Sequence, residues 1–268
     1  MPGAPDSTYV AARRVLLDAL EALTAHLDAL VLVGAQAIYL HTGEGDLAVA
    51  PYTTDADIAV DPAALAPEPA LEETMLAAGF VLGAEPGIWF GTGAVEIDLL
   101  VPDSVGGGGR RGARLGTHGN RAARKARGLE GALADNTPME IRALEERDER
   151  RFEIAVAGPA ALLVAKLHKL AERQGAVDRL HDKDALDVLR LLRETETETL
   201  VATMRELLAD ERSTQVTHAS IDQLRALFGS ESAAGSQMAA RAAQPLEDPA
   251  TIAASVAALA ADLLRALA

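Results

Sequence analysis

Two aspartates, Asp55 and Asp57, sit inside a stretch from Thr53 to Val60 whose β-branched Thr53, Thr54, Ile58 and Val60 favour extended backbone, and Pro62 closes it. Aspartate is among the poorest strand formers, so a strand that keeps two of them breaks a local rule, and such breaks mark functional positions. Side chains two apart in a strand point to the same face, which sets the two carboxylates side by side. Adjacent anions repel unless something neutralises them. Upstream, Leu30-Val31-Leu32-Val33 is a short apolar run that reads as a buried strand. Gly34 ends it, and Ala35 to His41 carries no helix breaker. The pattern is strand, glycine turn, helix. The 20 residues between Gly34 and Asp55 leave room for that helix and a returning loop that brings Asp55 beside Gly34.

The remaining pattern is mixed at first and helical afterwards. Tyr9 to His26 reads as an amphipathic helix, with Val10, Arg13, Leu17, Leu20, Ala22 and Leu27 near helical spacing. Ala70 to Ala78 predicts a helix, Phe80–Leu82 and Ile88–Phe90 short strands, and Ala94 to Val101 a strand stopped by Pro102. Asp103 to Gly119, with four consecutive glycines at 106–109, predicts a mobile loop. Phe152, Ile154 and Val156 alternate with polar neighbours in a last strand, Arg151–Val156. Gly158-Pro159 then opens a helix running to Arg173, since proline suits a first turn. Only helical patterns follow, broken near Gly175, Gly229–Gly235 and Pro245–Pro249. These features predict an α+β chain: residues 1–157 forming an α/β unit with a small mixed sheet, and residues 158–268 a helical domain. Hydrophobic content of 49% with aromatics at only 3% agrees, because Ala, Leu and Val build helices on a modest sheet.

The absence of cysteine excludes disulfides and thiolate metal sites. Met1 to Thr8 has no basic or apolar signal region and no uninterrupted apolar run reaches the ~18 residues of a membrane span, so the expected location is cytoplasmic, with no membrane partner. The six histidines show no metal-ligand spacing, and no Gly-Lys-Ser or Gly-Lys-Thr P-loop occurs. Val60 stands where an EF-hand beginning at Asp55 needs glycine. A net charge of −15 would repel a polyanion if it were evenly spread. It is not: Ser104 to Leu129 holds Arg110, Arg111, Arg114, Arg121, Arg124, Lys125 and Arg127 but only neutral residues otherwise. This loop reads equally as a solubilising connection or as an RNA platform. Without interleaved aromatics, its RNA contacts would be to the backbone.

Magnesium is the natural neutraliser of Asp55 and Asp57, because it takes oxygen ligands from one or two carboxylates plus substrate phosphates. Asp98, in the third strand with Glu96 on its face, supplies a third carboxylate, either for a second metal or to deprotonate a hydroxyl. The N–H groups at Gly34-Ala35, where a helix begins, suit phosphate oxygens. Lys166, Lys169 and Arg173 are spaced i, i+3, i+7 on one helical face, suited to a triphosphate, and Asp184 and Asp187 share a face that can pair with them.

Val33-Gly34-Ala35 followed by Thr54-Asp55-Ala56-Asp57-Ile58 resembles the glycine turn and D-x-D signature of the polymerase-β-like nucleotidyltransferases. Ala165-Lys166-Leu167-His168-Lys169-Leu170 with Arg173, then Lys183-Asp184-Ala185-Leu186-Asp187, is similar to later motifs of the AbiEii/AbiGii toxin family. The resemblance spans Val31 to Leu192. It implies metal binding by Asp55 and Asp57, a triphosphate contact from Lys166, and Asp184 in the same cleft. It further implies nucleotidyl transfer from a nucleoside triphosphate to a hydroxyl such as a tRNA 3′ end, a type IV toxin role, and a cognate antitoxin. One departure stands out: the family commonly carries Gly-Ser or Gly-Gly where this chain has Gly34-Ala35, so a serine hydroxyl contact is missing. Two other functions fit the same residues: a non-catalytic nucleotide- or partner-binding protein, and a small-molecule nucleotidyltransferase of the antibiotic-modifying kind.

Overall fold

The structure, a computed structural model, describes residues 6–43, 52–109, 111–172 and 179–268. The first helix, α1 (Ser7–Ala22), is started by Asp6, whose carboxylate accepts the N–H groups of Thr8 and Tyr9. Its buried face, including Ala12, Val15, Leu16 and Leu20, lies against the sheet. A 3₁₀ turn at Thr24–Ala29 replaces the last part of the expected helix and feeds β1 (Leu30–Val33). After β1 come α2 (Gly34–Thr42), β2 (Asp55–Val60), α3 (Leu71–Ala77), β3 (Val81–Leu82), β4 (Ile88–Phe90) and β5 (Glu96–Pro102). Then follow β6 (Arg124–Ala126), β7 (Asn136–Arg142) and β8 (Arg151–Ala157).

The strands form one mixed sheet in the order β3-β4-β5-β2-β1-β8-β7. β2 is antiparallel to β1 and parallel to β5. β4 pairs with β5 over Glu96–Asp98, and β6 takes the same strand over Leu100–Pro102. The sheet centre is apolar because alternate residues of the central strands, Ala56, Ile58 and Val60 on β2 and Ile97, Leu99 and Val101 on β5, are buried. Trp89 on β4, opposite Ile97, is fully buried and donates its indole N–H to Ala122 O at 2.9 Å.

Two strands escaped the sequence reading. β7 carries Thr137, Pro138, Glu140 and Arg142 on a sheet edge; edges tolerate proline and need no apolar alternation. β6 is only Arg-Lys-Ala and exists because β5 offers it a free flank. The Asp103–Gly119 stretch, expected as a mobile loop, is tied back by backbone bonds from Arg114 N–H to Gly106 O, Ala113 N–H to Ala123 O and Lys125 N–H to Arg111 O, and contains a 3₁₀ turn at Gly116–His118.

Six helices complete the described chain: α4 (Pro159–Glu172), α5 (Arg179–Glu194), α6 (Thr197–Ala209), α7 (Thr214–Phe228), α8 (Ala234–Ala242) and α9 (Pro249–Leu267). The breaks before α6 and α7, at Thr195–Glu196 and Asp210–Ser213, carry no glycine or proline and so leave no breaker signal in the sequence. Arg173 and Gly175 lie outside the described residues. α9 is long and apolar enough, by length and composition, to cross a membrane, although Asp262 and Arg265 interrupt its apolar run. In this structure Ile252, Val256, Ala260 and Leu263 are buried and the helix packs on α5, α6, α7 and α8, while Asp262 and Arg265 pair on its exposed side. The apolar core continues from the sheet through Ala157 into the helices.

The junction between the two halves is capped from a distance. Asp135 accepts Ala161 N–H at 2.9 Å on its carboxylate and Gly158 N–H at 2.8 Å on its backbone oxygen. A side chain on Gly158 would collide with that carboxylate. Asp135→Ala is expected to cost about 1 kcal/mol in urea unfolding followed by Trp89 fluorescence, and Asp135→Asn, which keeps the acceptor, much less. Equal stability of the Ala variant and the parent would exclude this capping role.

Candidate active site

Parallel pairing of β2 and β5 sets Asp55 beside Glu96 and Asp57 beside Asp98. Register partners in adjacent strands share a face, so four carboxylates line one side of the sheet opposite Ile58 and Leu99. Asp55, Asp57 and Glu96 are half-buried and Asp98 is buried.

Gly34 presses on this cluster. Its φ of 69° is the left-handed region, and a side chain there would meet the Asp57 carboxylate at 2.0 Å. Glycine is therefore required twice, for the turn into α2 and for the approach of backbone to Asp57. A polar relay fixes the start of β2: buried Arg13 donates to Gln36 Oε1 at 2.8 Å and Gln36 Nε2 to Asp55 O at 3.2 Å. The Thr53 hydroxyl donates to Asp55 Oδ1 at 2.6 Å.

Crowding shows in the proton affinities. Burial, then Asp55 and Asp98, pushes the Asp57 carboxyl up to about 6, opposed by Lys169 and, less strongly, Lys166. Burial also raises Asp98, with Glu96 and Asp55 adding to it, against the Arg124 guanidinium bonded to Asp98 Oδ2. Burial and Asp55 raise Glu96.

The helical half faces this cluster with lysines. Lys166 on α4 is buried and donates to Asp184 at 2.5 Å and Asp187 at 2.7 Å on α5. Burial works against its charge, but the two aspartates raise its pKa well above the ordinary lysine value. Lys169, one turn on, reaches Asp184 at 3.4 Å and stays partly exposed. The ammonium of Lys183 lies 5.7 Å from the Tyr52 ring centre and 6.0 Å from that of Tyr39. Tyr39 donates its hydroxyl to Tyr52 O at 2.7 Å. Arg190 lies 5.6 Å from the Tyr39 ring centre.

Gly34, Ala35, Asp55, Asp57 and Asp98 thus lie together, with Lys166, Lys169 and Asp184 facing them; Arg173 is outside the described residues. The three aspartates do not close into one ligand shell: among the described residues no three carboxylate or imidazole groups form a metal-binding cluster, and one oxygen of Asp98 is held by Arg124. The donor set nevertheless fits a hard cation. The Asp57 carboxylate takes no hydrogen bond from a described residue, Asp55 has one oxygen without a bond, and Asp98 Oδ1 is buried with no partner.

Arg13, Gln36, Tyr39, Tyr52, Lys183 and Arg124 were not singled out from the sequence as site residues. Of these, Lys183, inside the Lys-Asp-x-x-Asp run, and Arg124, inside the basic segment, carried a local signal. The arginine-rich segment is also less available than its composition suggests. Arg111 pairs with Glu85, Arg124 with Asp98 and Lys125 with Asp103, and Arg121 donates to Gly83 O and Ala84 O. Arg114 and Arg127 are exposed and make no ion pair among the described residues, while Arg110 lies outside them. A cavity of about 360 Å³ beside Arg114 and Arg121 contains none of the site carboxylates.

Comparison with protein-family models, curated proteins and solved structures returns no match to this chain.

The pH dependence of the metal-free protein tests the crowding. Asp57 binds its proton more tightly folded than unfolded, so its contribution favours folding below pH 3.8 and is lost as pH rises through about 6. Asp57→Asn is expected to stabilise the protein in chelator at pH 8 by on the order of 1–2 kcal/mol, discounted because part of the site is open to solvent, and to change little at pH 4. A variant that melts lower than the parent at pH 8 would show that Asp57 is not under repulsion.

Proposed function

We propose that this chain is a Mg²⁺-dependent nucleotidyltransferase that moves a nucleotidyl group from a nucleoside triphosphate to a hydroxyl acceptor. One observation carries the reading. Asp55 and Asp57 stand on one face of β2, in parallel register with Glu96 and Asp98 on β5, under a glycine turn that begins a helix and opposite lysines from α4 and α5. Asp55 and Asp57 would hold the cation, which would supply charge neutralisation at the phosphate.

The chain's own groups do the rest. The first N–H groups of α2, at Gly34-Ala35, receive phosphate oxygens, aided by the positive end of the helix. Lysines of the helical half offset the charge of the triphosphate. Asp98, buried and with Oδ1 lacking a partner, is placed to take the proton of the acceptor hydroxyl. A bond forms between the acceptor oxygen and the α-phosphorus as the bond to pyrophosphate breaks. An RNA 3′ end, such as that of tRNA, is the acceptor that the family resemblance favours. With it come a growth-inhibiting role relieved by an antitoxin and a cytoplasmic location. Arg114 and Arg127 are the exposed cations that offer contacts to an RNA backbone. Ala35 favours the second reading, a nucleotide-binding protein without turnover, since it removes a hydroxyl from the phosphate turn.

Incubation with each labelled triphosphate, Mg²⁺ and total RNA is expected to label RNA, and Asp57→Asn to reduce labelling about a hundredfold or more while the fold is retained. Label confined to small molecules would move the acceptor to that class. Nucleotide-dependent thermal stabilisation without labelling would favour the binding protein. Full activity of Asp57→Asn would remove the metal assignment.

A further inference from the structure

The family resemblance gives the triphosphate contact to Lys166, but the surroundings of this lysine point elsewhere. Its ammonium is buried and already donates to Asp184 and Asp187, so one positive charge meets two negative ones. An ammonium has three N–H donors, and two are committed here inside the protein. The third belongs to a side chain only 6% exposed, and breaking either existing bond for a phosphate would leave a buried carboxylate without its partner, which is strongly unfavourable.

Two neighbouring lysines are differently placed. Lys169 is about one-third exposed, its only ion pair among the described residues is the longer 3.4 Å contact to Asp184, and it is the strongest cationic influence on Asp57. Lys183 has no carboxylate within ion-pair distance among the described residues. It rests against the rings of Tyr39 and Tyr52, and Tyr52 precedes Asp55 by three residues, so this cation stands at the entry to β2. Burial lowers the pKa of Lys183, while Asp187 and, less strongly, Asp55 act to raise it. A desolvated cation that rests on aromatic rings, with no carboxylate in ion-pair contact, gains more from an arriving anion than one already paired.

We propose that Lys169 of α4 and Lys183 of α5 bind the triphosphate beside the carboxylate cluster, and that Lys166 is the pin joining α4 to α5 that presents them. Lys166 is then a positioning residue and Lys169 and Lys183 the binding residues. The assignment rests on the nucleotidyltransferase reading.

Calorimetric titration of the full chain with each of the four ribonucleoside triphosphates and their monophosphates, in Mg²⁺, tests it. The parent is expected to bind at least one triphosphate. Lys169→Met and Lys183→Met should each weaken that binding about tenfold or more, affect the monophosphate much less, and leave the melting temperature near that of the parent. Lys183→Arg, which keeps the charge, should recover most of the affinity. Lys166→Met should lower the melting temperature, because it strands two buried carboxylates. Where Lys183→Met does not fold, Lys183→Gln carries the same test. Triphosphate binding by the Lys169 and Lys183 variants as tight as the parent's would overturn the assignment while leaving the nucleotidyltransferase reading intact. A parent that binds no triphosphate would remove both.

Discussion

Four carboxylates on two adjoining parallel strands repel one another, and much of the surrounding structure offsets that repulsion. The sheet places them together because the opposite face of the same strands, built on Ala56, Ile58, Ile97 and Leu99, belongs in the core, and a period of two then sends Asp55, Asp57, Glu96 and Asp98 to the other side. Partial burial strengthens each charge's effect on its neighbours, which is why Asp57 holds its proton to about pH 6. Arg124 answers Asp98, Thr53 answers Asp55, and lysines from the helical half act on Asp57.

The helices depend on a complementary arrangement. Lys166 between Asp184 and Asp187 ties α4 to α5, and the desolvation of three charges is offset only because their geometry is close and mutual. On the sheet side, Arg13, Gln36 and the Asp55 backbone make a relay from α1 through α2 to β2. The site is therefore bracketed by two buried polar networks, with Lys169 and Lys183 beside them and less constrained. Lys166 is committed to two carboxylates, Lys169 to one at longer range, and Lys183 to none within ion-pair distance among the described residues.

The central elements were legible in the sequence for simple reasons. Leu30–Val33 is uniformly apolar because β1 is buried between two neighbours, Gly34 is the residue that a positive φ demands, and the alternation around Asp55 and Asp57 requires a strand with one acidic face. Pro159 marked the start of α4. β6 and β7 were not legible, since a short polar strand and an edge strand containing proline carry no periodic burial. The cap on α4 was equally hidden, because Asp135 lies 26 residues before the N–H that it accepts.

The sequence by itself determined which residues share a face: Asp55 with Asp57, Glu96 with Asp98, Lys166 with Lys169, Asp184 with Asp187. Backbone period is a local property, and it needs no knowledge of neighbours. Only the tertiary structure decided which charges meet. That Asp57 stands beside Asp98, that Arg124 leaves the basic segment for a carboxylate, and that Lys166 is enclosed while Lys183 rests on tyrosines are outcomes of strand register and helix packing. Pairing energies depend on distance and desolvation between segments far apart in the chain, and local sequence encodes neither.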